Sequence, residues 1–223
     1  GSLTAGVLLS SAGVTGDVVL TGGVNQIGQL GGFAVSGGDF TLADAHALEV
    51  TGAVSAGNVM LSDSAGGTAL TVSGSIAGSN TVGLTATSGG LALNGVVSAA
   101  TLDLNAATGI SQGGGSLTAG VLLSSAGVTG DVVLNGGINQ ISQLGGFAVS
   151  GGDFTLADTH ALDVTGAVSA GNVTLSDSAG GTALTVSGSL AGSGTVGLSA
   201  TSGGLALNGV VSAATLDLNA AGG

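Results

Sequence analysis

The chain has no cysteine, proline, tryptophan or tyrosine, and not one lysine or arginine among its 223 residues. Without basic side chains nothing can neutralise phosphates, which excludes nucleic acid as a partner. Anionic membrane surfaces fall to the same argument. Without cysteine there is neither a disulfide framework nor thiol chemistry, a state compatible with either redox compartment. No apolar run approaches the ~18 residues of a membrane span, so membrane insertion is not expected. No charged leader stands before Gly1, and the sequence reads as a piece of something longer.

What is present is unusual. Glycine is 47 of 223 residues, 43% are hydrophobic, and twelve acidic residues give a formal charge of −12. Abundant glycine with low hydropathy would mean disorder. Here mean hydropathy is +0.69, and Val, Leu and Ala recur at fixed places. That combination predicts ordered, repetitive β structure with glycine at its corners.

Two repeats are superimposed. Residues 115–223 repeat residues 1–109 with ten differences, at positions 21, 24, 28, 45, 49, 60, 76, 80, 85 and 108. The copies, 1–114 and 115–223, read as one continuous solenoid, because residues 110–114 carry the pattern across without a linker. Inside a copy, three openings recur: Thr51-Gly52-Ala53-Val54, Ser73-Gly74-Ser75-Ile76 and Asn94-Gly95-Val96-Val97. Each precedes an apolar-x-apolar pair, namely Val59/Leu61, Val82/Leu84 and Leu102/Leu104. Strict alternation between Gly/Ser/Thr clusters is the pattern of short strands. A period near 22 is that of a solenoid whose coils stack on one another.

The expected fold is therefore all-β, a parallel β-helix with three short strands per turn. Five turns of ~23 residues or six of ~19 both fit one copy, giving about 10–12 turns and a rod roughly 50 Å long. The register of residues 24–32 is the least defined. The ten differences fit an interior of packed apolar side chains: Val24/Ile138 and Ile76/Leu190 are apolar exchanges expected inside, while Glu49/Asp163 and Met60/Thr174 are expected outside. The pairs Gly31-Gly32, Gly37-Gly38, Gly66-Gly67 and Gly89-Gly90 are expected to take positive φ at corners.

Candidate sites are few. Asp44 and His46 recur as Asp158 and His160, too few ligands to converge on a metal unless others join them, and they sit on an expected corner. Gly37-Gly38-Asp39 invites comparison with calcium-binding nonapeptide repeats, but the full motif never occurs. Ca²⁺ is the one cofactor left open. A carbohydrate-cleaving β-helix would need clustered carboxylates in a groove, whereas Asp17, Asp39, Asp44, Glu49, Asp63 and Asp103 read as dispersed, so no enzymatic activity is expected. Phe33 and Phe40 read as buried. Asn25, Asn58, Asn94 and Asn105 read as corner caps. Ala34, Ser55, Ala77 and Ser98 fall on stacked outward positions and form a candidate strip for lateral packing.

The phrases Asn25-Gln26-Ile27-Gly28-Gln29-Leu30-Gly31-Gly32-Phe33 and Gly38-Asp39-Phe40-Thr41-Leu42-Ala43-Asp44-Ala45, with 47–57 after them, resemble the repeat regions of filamentous-haemagglutinin-like large exoproteins. The resemblance covers the whole chain, twice over. It implies a right-handed parallel β-helix in an adhesin shaft or surface filament of a Gram-negative bacterium, hence an extracellular or cell-surface location. It brings no catalytic residues. The partners it implies are neighbouring repeats, copies of itself, or host or cell-surface glycans and proteins. A calcium-binding repeat module and a glycan-binding or glycan-cleaving β-helix domain are the alternatives. Each end turn is expected to present an unpaired strand edge that neighbouring repeats cover.

Overall fold

A computed structural model describes residues 1–222. They form thirty strands and no helix, coiled into a parallel β-solenoid of about ten turns, as expected of a right-handed parallel β-helix. A turn has three faces. The first turn is Thr4–Leu8, Val14–Thr15 and Val18–Leu20, one strand to a face, and the second turn is Gln26–Leu30, Phe33–Ser36 and Phe40–Asp44. One face is a sheet of eleven strands, from Thr4–Leu8 to Thr215–Ala220, and the other two faces are joined in a sheet of nineteen. Ten steps at the ~4.8 Å strand spacing make a rod about 48 Å long.

The strands form because period-two alternation gives each one an apolar row, and stacking brings those rows together. Phe33, Val54, Ile76, Val97 and Leu117 are register partners in succession, all buried. So are Leu48, Leu70, Leu91, Ile110, Val132, Phe154, Val173 and Val196 on the eleven-stranded face. The second column crosses from one copy to the other without a break. Phe33 and Phe40 pack at 4.7 Å between ring centroids and Phe147 and Phe154 at 4.9 Å, both tilted, as aromatic pairs prefer.

A copy is neither five turns nor six. Stacked register carries Val18 through Phe40, Val59, Val82 and Leu102 to Leu122, five rungs up. The counterpart of Val18 is Val132, which lies beyond Leu122 on the next face, above Ile110. One 114-residue unit is thus five turns and about a third. Rungs are uneven in length, and strands Val96–Ala106 and Ser116–Leu123 run through a corner, which lets the phase slip. The second copy is rotated by one face about the axis.

Two expectations are corrected. Val24 and Ile138 are 61% and 65% exposed, not interior, because the next residue, Asn25 or Asn139, takes the inward place. Of the paired glycines, Gly37 and Gly67 have positive φ, 67° and 71°, but Gly31, Gly32, Gly89 and Gly90 do not. Elsewhere the constraint is closeness rather than torsion. Gly52, Gly74 and Gly95 stack at one corner, where Ser75 N donates to Gly52 O at 3.0 Å and Val96 N to Gly74 O at 3.0 Å. A Cβ on Gly74 would collide with the Gly52 and Thr51 carbonyls.

Gly74→Ala is therefore expected to destabilise the rod by about 2 kcal/mol or more, as forced overpacking does. Gly66→Ala has open space around its Cβ and no positive φ and is expected to stay near neutral. Urea unfolding of the two variants measures the difference.

Candidate functional site

The polar residues worth weighing for chemistry lie at the corners. Asp44 ends the alternation Phe40-x-Leu42-x-Asp44, and Asp63 ends Val59-x-Leu61-x-Asp63, so both occupy inward positions of their strands. They are register partners on adjacent rungs, and both are buried. Asp44 accepts from Ile27 N at 2.9 Å through Oδ1 and from His46 N at 2.9 Å through Oδ2. Asp63 accepts from Ala65 N at 2.6 Å and Leu48 N at 3.2 Å. The second copy repeats this: Asp158 takes Ile141 N and His160 N, each at 2.9 Å, and Asp177 takes Ala179 N at 2.7 Å and Leu162 N at 3.1 Å. Each carboxylate caps its own corner and ties it to the start of a strand on another face.

These carboxylates were expected to be dispersed; Asp44 with Asp63, and Asp158 with Asp177, are instead stacked. Burial raises the pKa of all four from the ordinary aspartate value, against the backbone N–H donors that hold it down. For Asp158 burial is the largest cause, the Asp177 charge adds to it, and the value reaches about 6. His46 and His160 point outward from exposed corners. Among the described residues no three His, Asp or Glu side chains group as metal ligands do.

The outer corner carries a second polar ladder. Asp17 Oδ1 accepts Asp39 N at 3.0 Å, Asp39 Oδ1 accepts Asn58 N at 2.8 Å, and Asn58 Oδ1 accepts Thr81 N at 3.1 Å. Asp131, Asp153, Asn172 and Thr195 repeat it. In each rung one side-chain oxygen of this ladder pins a backbone N–H of the turn above.

A third element was not legible in the sequence. Asn139 is fully buried and holds three turns: Nδ2 donates to Leu134 O and Ala157 O, each at 3.0 Å, while Oδ1 accepts Leu117 N at 3.1 Å. Gln112 completes it, with its Nε2 donating to Asn139 Oδ1 at 2.8 Å and its Oε1 accepting Asn139 Nδ2 at 3.0 Å. Gln112 belongs to the short segment between the copies. Asn25, the first-copy counterpart, donates to Leu20 O and Ala43 O and accepts Leu3 N. Among the described residues no buried side-chain polar atom lacks a partner.

The small-residue strip is one column. Ala34 pairs with Ser55, Ser55 with Ala77 and Ala77 with Ser98, all directed outward. Thr118 and Gln140 follow in the same register, which ends the run of small side chains. In the second copy Ala148, Ser169, Ala191 and Ser212 make an equal strip, displaced to another face by the extra third of a turn.

Fold and corners together define a protein class, the parallel β-solenoid with internally capped turns. Comparison with family models, curated proteins and solved structures finds no match.

Two outcomes follow from these corners. Folding raises the proton affinity of the four aspartates, so the folded chain binds more protons than the unfolded one as they titrate, and stability increases as pH falls; for Asp158, raised to about 6, the window is about pH 4 to pH 6. For Asp158 the effect is on the order of 3 kcal/mol at most. Thermal unfolding at pH 7 and pH 5 is expected to show the gain, and Asp158→Asn to reduce it. Asn139→Ala strands several buried backbone groups and is expected to cost about 3 kcal/mol, measured by urea unfolding.

Proposed function

We propose that this chain is a structural shaft segment of a secreted or surface-displayed bacterial adhesin or filament, serving reach and stiffness. One observation carries the reading: columns of stacked side chains and backbone ladders pass through the copy boundary without a gap. A hinge needs a segment with few cross-chain bonds, whereas here Ile110 and Ser111 are paired on both sides and Gln112 is bonded to Asn139. Polar side chains at the corners are spent on capping, which supports a mechanical role over a catalytic one. The acidic surface keeps a rod soluble and apart from anionic neighbours. The phrases resembling large exoprotein repeats, quoted above, supply the adhesin and cell-surface part of the reading.

The two small-residue strips lie on different faces. Side-by-side packing of rods along them would therefore be limited to one copy's length, or would wind around the axis.

Electron microscopy or small-angle scattering tests the shaft. The expected particle is a straight rod about 48 Å long, and a third 114-residue copy is expected to add about 25 Å without a bend. A compact particle, or rods that flex at copy boundaries, would count against it.

A further inference from the structure

An asparagine followed by glycine lets the main chain attack its own side chain with little hindrance, because glycine has no Cβ to bar the approach. The dipeptide occurs at Asn94-Gly95, Asn135-Gly136 and Asn208-Gly209. Ring closure needs the glycine N–H to give up its proton and the nitrogen to reach the asparagine Cγ. All three asparagines are exposed, so what separates them is how each glycine is held.

Two of the three are locked. Asn94 N and Gly95 N both donate to Val72 O at 2.8 Å, and Gly95 is buried. Asn208 N and Gly209 N both donate to Val186 O, at 2.8 Å and 2.7 Å. In both pairs the glycine nitrogen is spent on the turn below. Asn135-Gly136 differs. Among the described residues Gly136 N donates to no backbone or side-chain acceptor, the Asn135 carboxamide makes no hydrogen bond, and Gly136 is exposed. The first copy has Thr21 at this place, so the site belongs to the second copy alone.

We propose that Asn135 is a site of self-modification, at which the main chain closes on the side chain without an enzyme and ages the junction between the copies. Gly136 N, losing its proton to water, bonds to Asn135 Cγ. The Cγ–Nδ2 bond breaks, and the nitrogen leaves as ammonia with a proton taken from solvent. Water then opens the succinimide. Attack at Cγ gives aspartate; attack at the main-chain carbonyl gives isoaspartate, in which the chain runs on through the side chain and gains one methylene. Water is the only co-reactant, and each event adds a negative charge to a chain that carries −12.

The corner has no room for the longer product. A Cβ on Gly136 would collide with the Gln112 carbonyl, and one on Gly137 with the Gly115 carbonyl. Residues 135–138 are also spanned by a fixed bond, since Asn139 Nδ2 donates to Leu134 O at 3.0 Å. A methylene added between those anchors pushes Asn139 off Leu134 O or lifts Gly136 and Gly137 from the turn below. Asn139 also holds Gln112, Leu117 and Ala157. Isoaspartate at position 135 therefore loosens the seal between the copies.

Warming the folded protein in mildly alkaline buffer tests the site. Thermolysin peptides are followed by mass spectrometry, because the chain has no lysine or arginine for trypsin. Deamidation reads as a gain of about 1 Da, and isoaspartyl methyltransferase with a labelled methyl donor counts the isoaspartate. Gly95 and Gly209 must first give up a hydrogen bond, so Asn135 is expected to react about tenfold faster or more. In urea, with the fold gone, the three sites are expected to react at similar rates. Asn135→Thr, which installs the first copy's residue, is expected to lose most of the methyl acceptance. Its urea midpoint is expected to hold on ageing while that of the parent chain falls. Similar rates at the three sites in the folded chain would overturn the assignment, as would Asn94 or Asn208 reacting ahead of Asn135, or the same ranking persisting in urea. An aged chain rich in isoaspartate at position 135 with an unmoved urea midpoint would overturn the loosening.

Discussion

Backbone ladders between successive turns are the constraint on which everything else depends. A parallel pair of strands forms its hydrogen bonds only at a spacing of about 4.8 Å. Every turn must therefore sit that close to the next along its whole perimeter, corners included. Strands satisfy this by themselves, since alternate side chains leave the backbone edge clear. Corners do not. There a side chain can fall between two backbones, and Gly52, Gly74 and Gly95 answer the difficulty by having none.

The same closeness explains the polar residues. A corner leaves backbone N–H groups without a ladder partner, and buried donors must be matched. Asp44, Asp63, Asn25 and their second-copy counterparts supply the missing acceptors from inside the coil, and Asp17, Asp39 and Asn58 do so from outside. Burying carboxylates one above another costs desolvation, which is why their protons are held more tightly than in water. The acidic residues of this chain are thus divided between corner caps and a solvated surface.

Much of this was legible beforehand, for a specific reason. Val54, Ile76 and Val97 could be aligned by eye because a strand's side chains alternate with period two and a solenoid repeats that alternation coil after coil. The inward aspartates were legible in principle too: Asp44 and Asp63 each sit two residues beyond a buried leucine, on the core side of the alternation. Reading Asp44 as a corner residue and Asp63 as one of several dispersed carboxylates followed residue type where position was the better guide. Val24 failed for the opposite reason, since an apolar residue beside Asn25 looks like the inward one until the asparagine is seen bridging three turns.

The sequence by itself determined the strands, their inward rows and the fact that one turn must rest on another, because those depend on local alternation and on a repeat visible in one dimension. Only the tertiary structure decided how many turns a copy makes, which polar side chains enter the core, and on which face each small-residue strip falls. Those depend on how much chain each corner consumes, and a corner's length is set by backbones packing across neighbouring turns rather than by the residues within it.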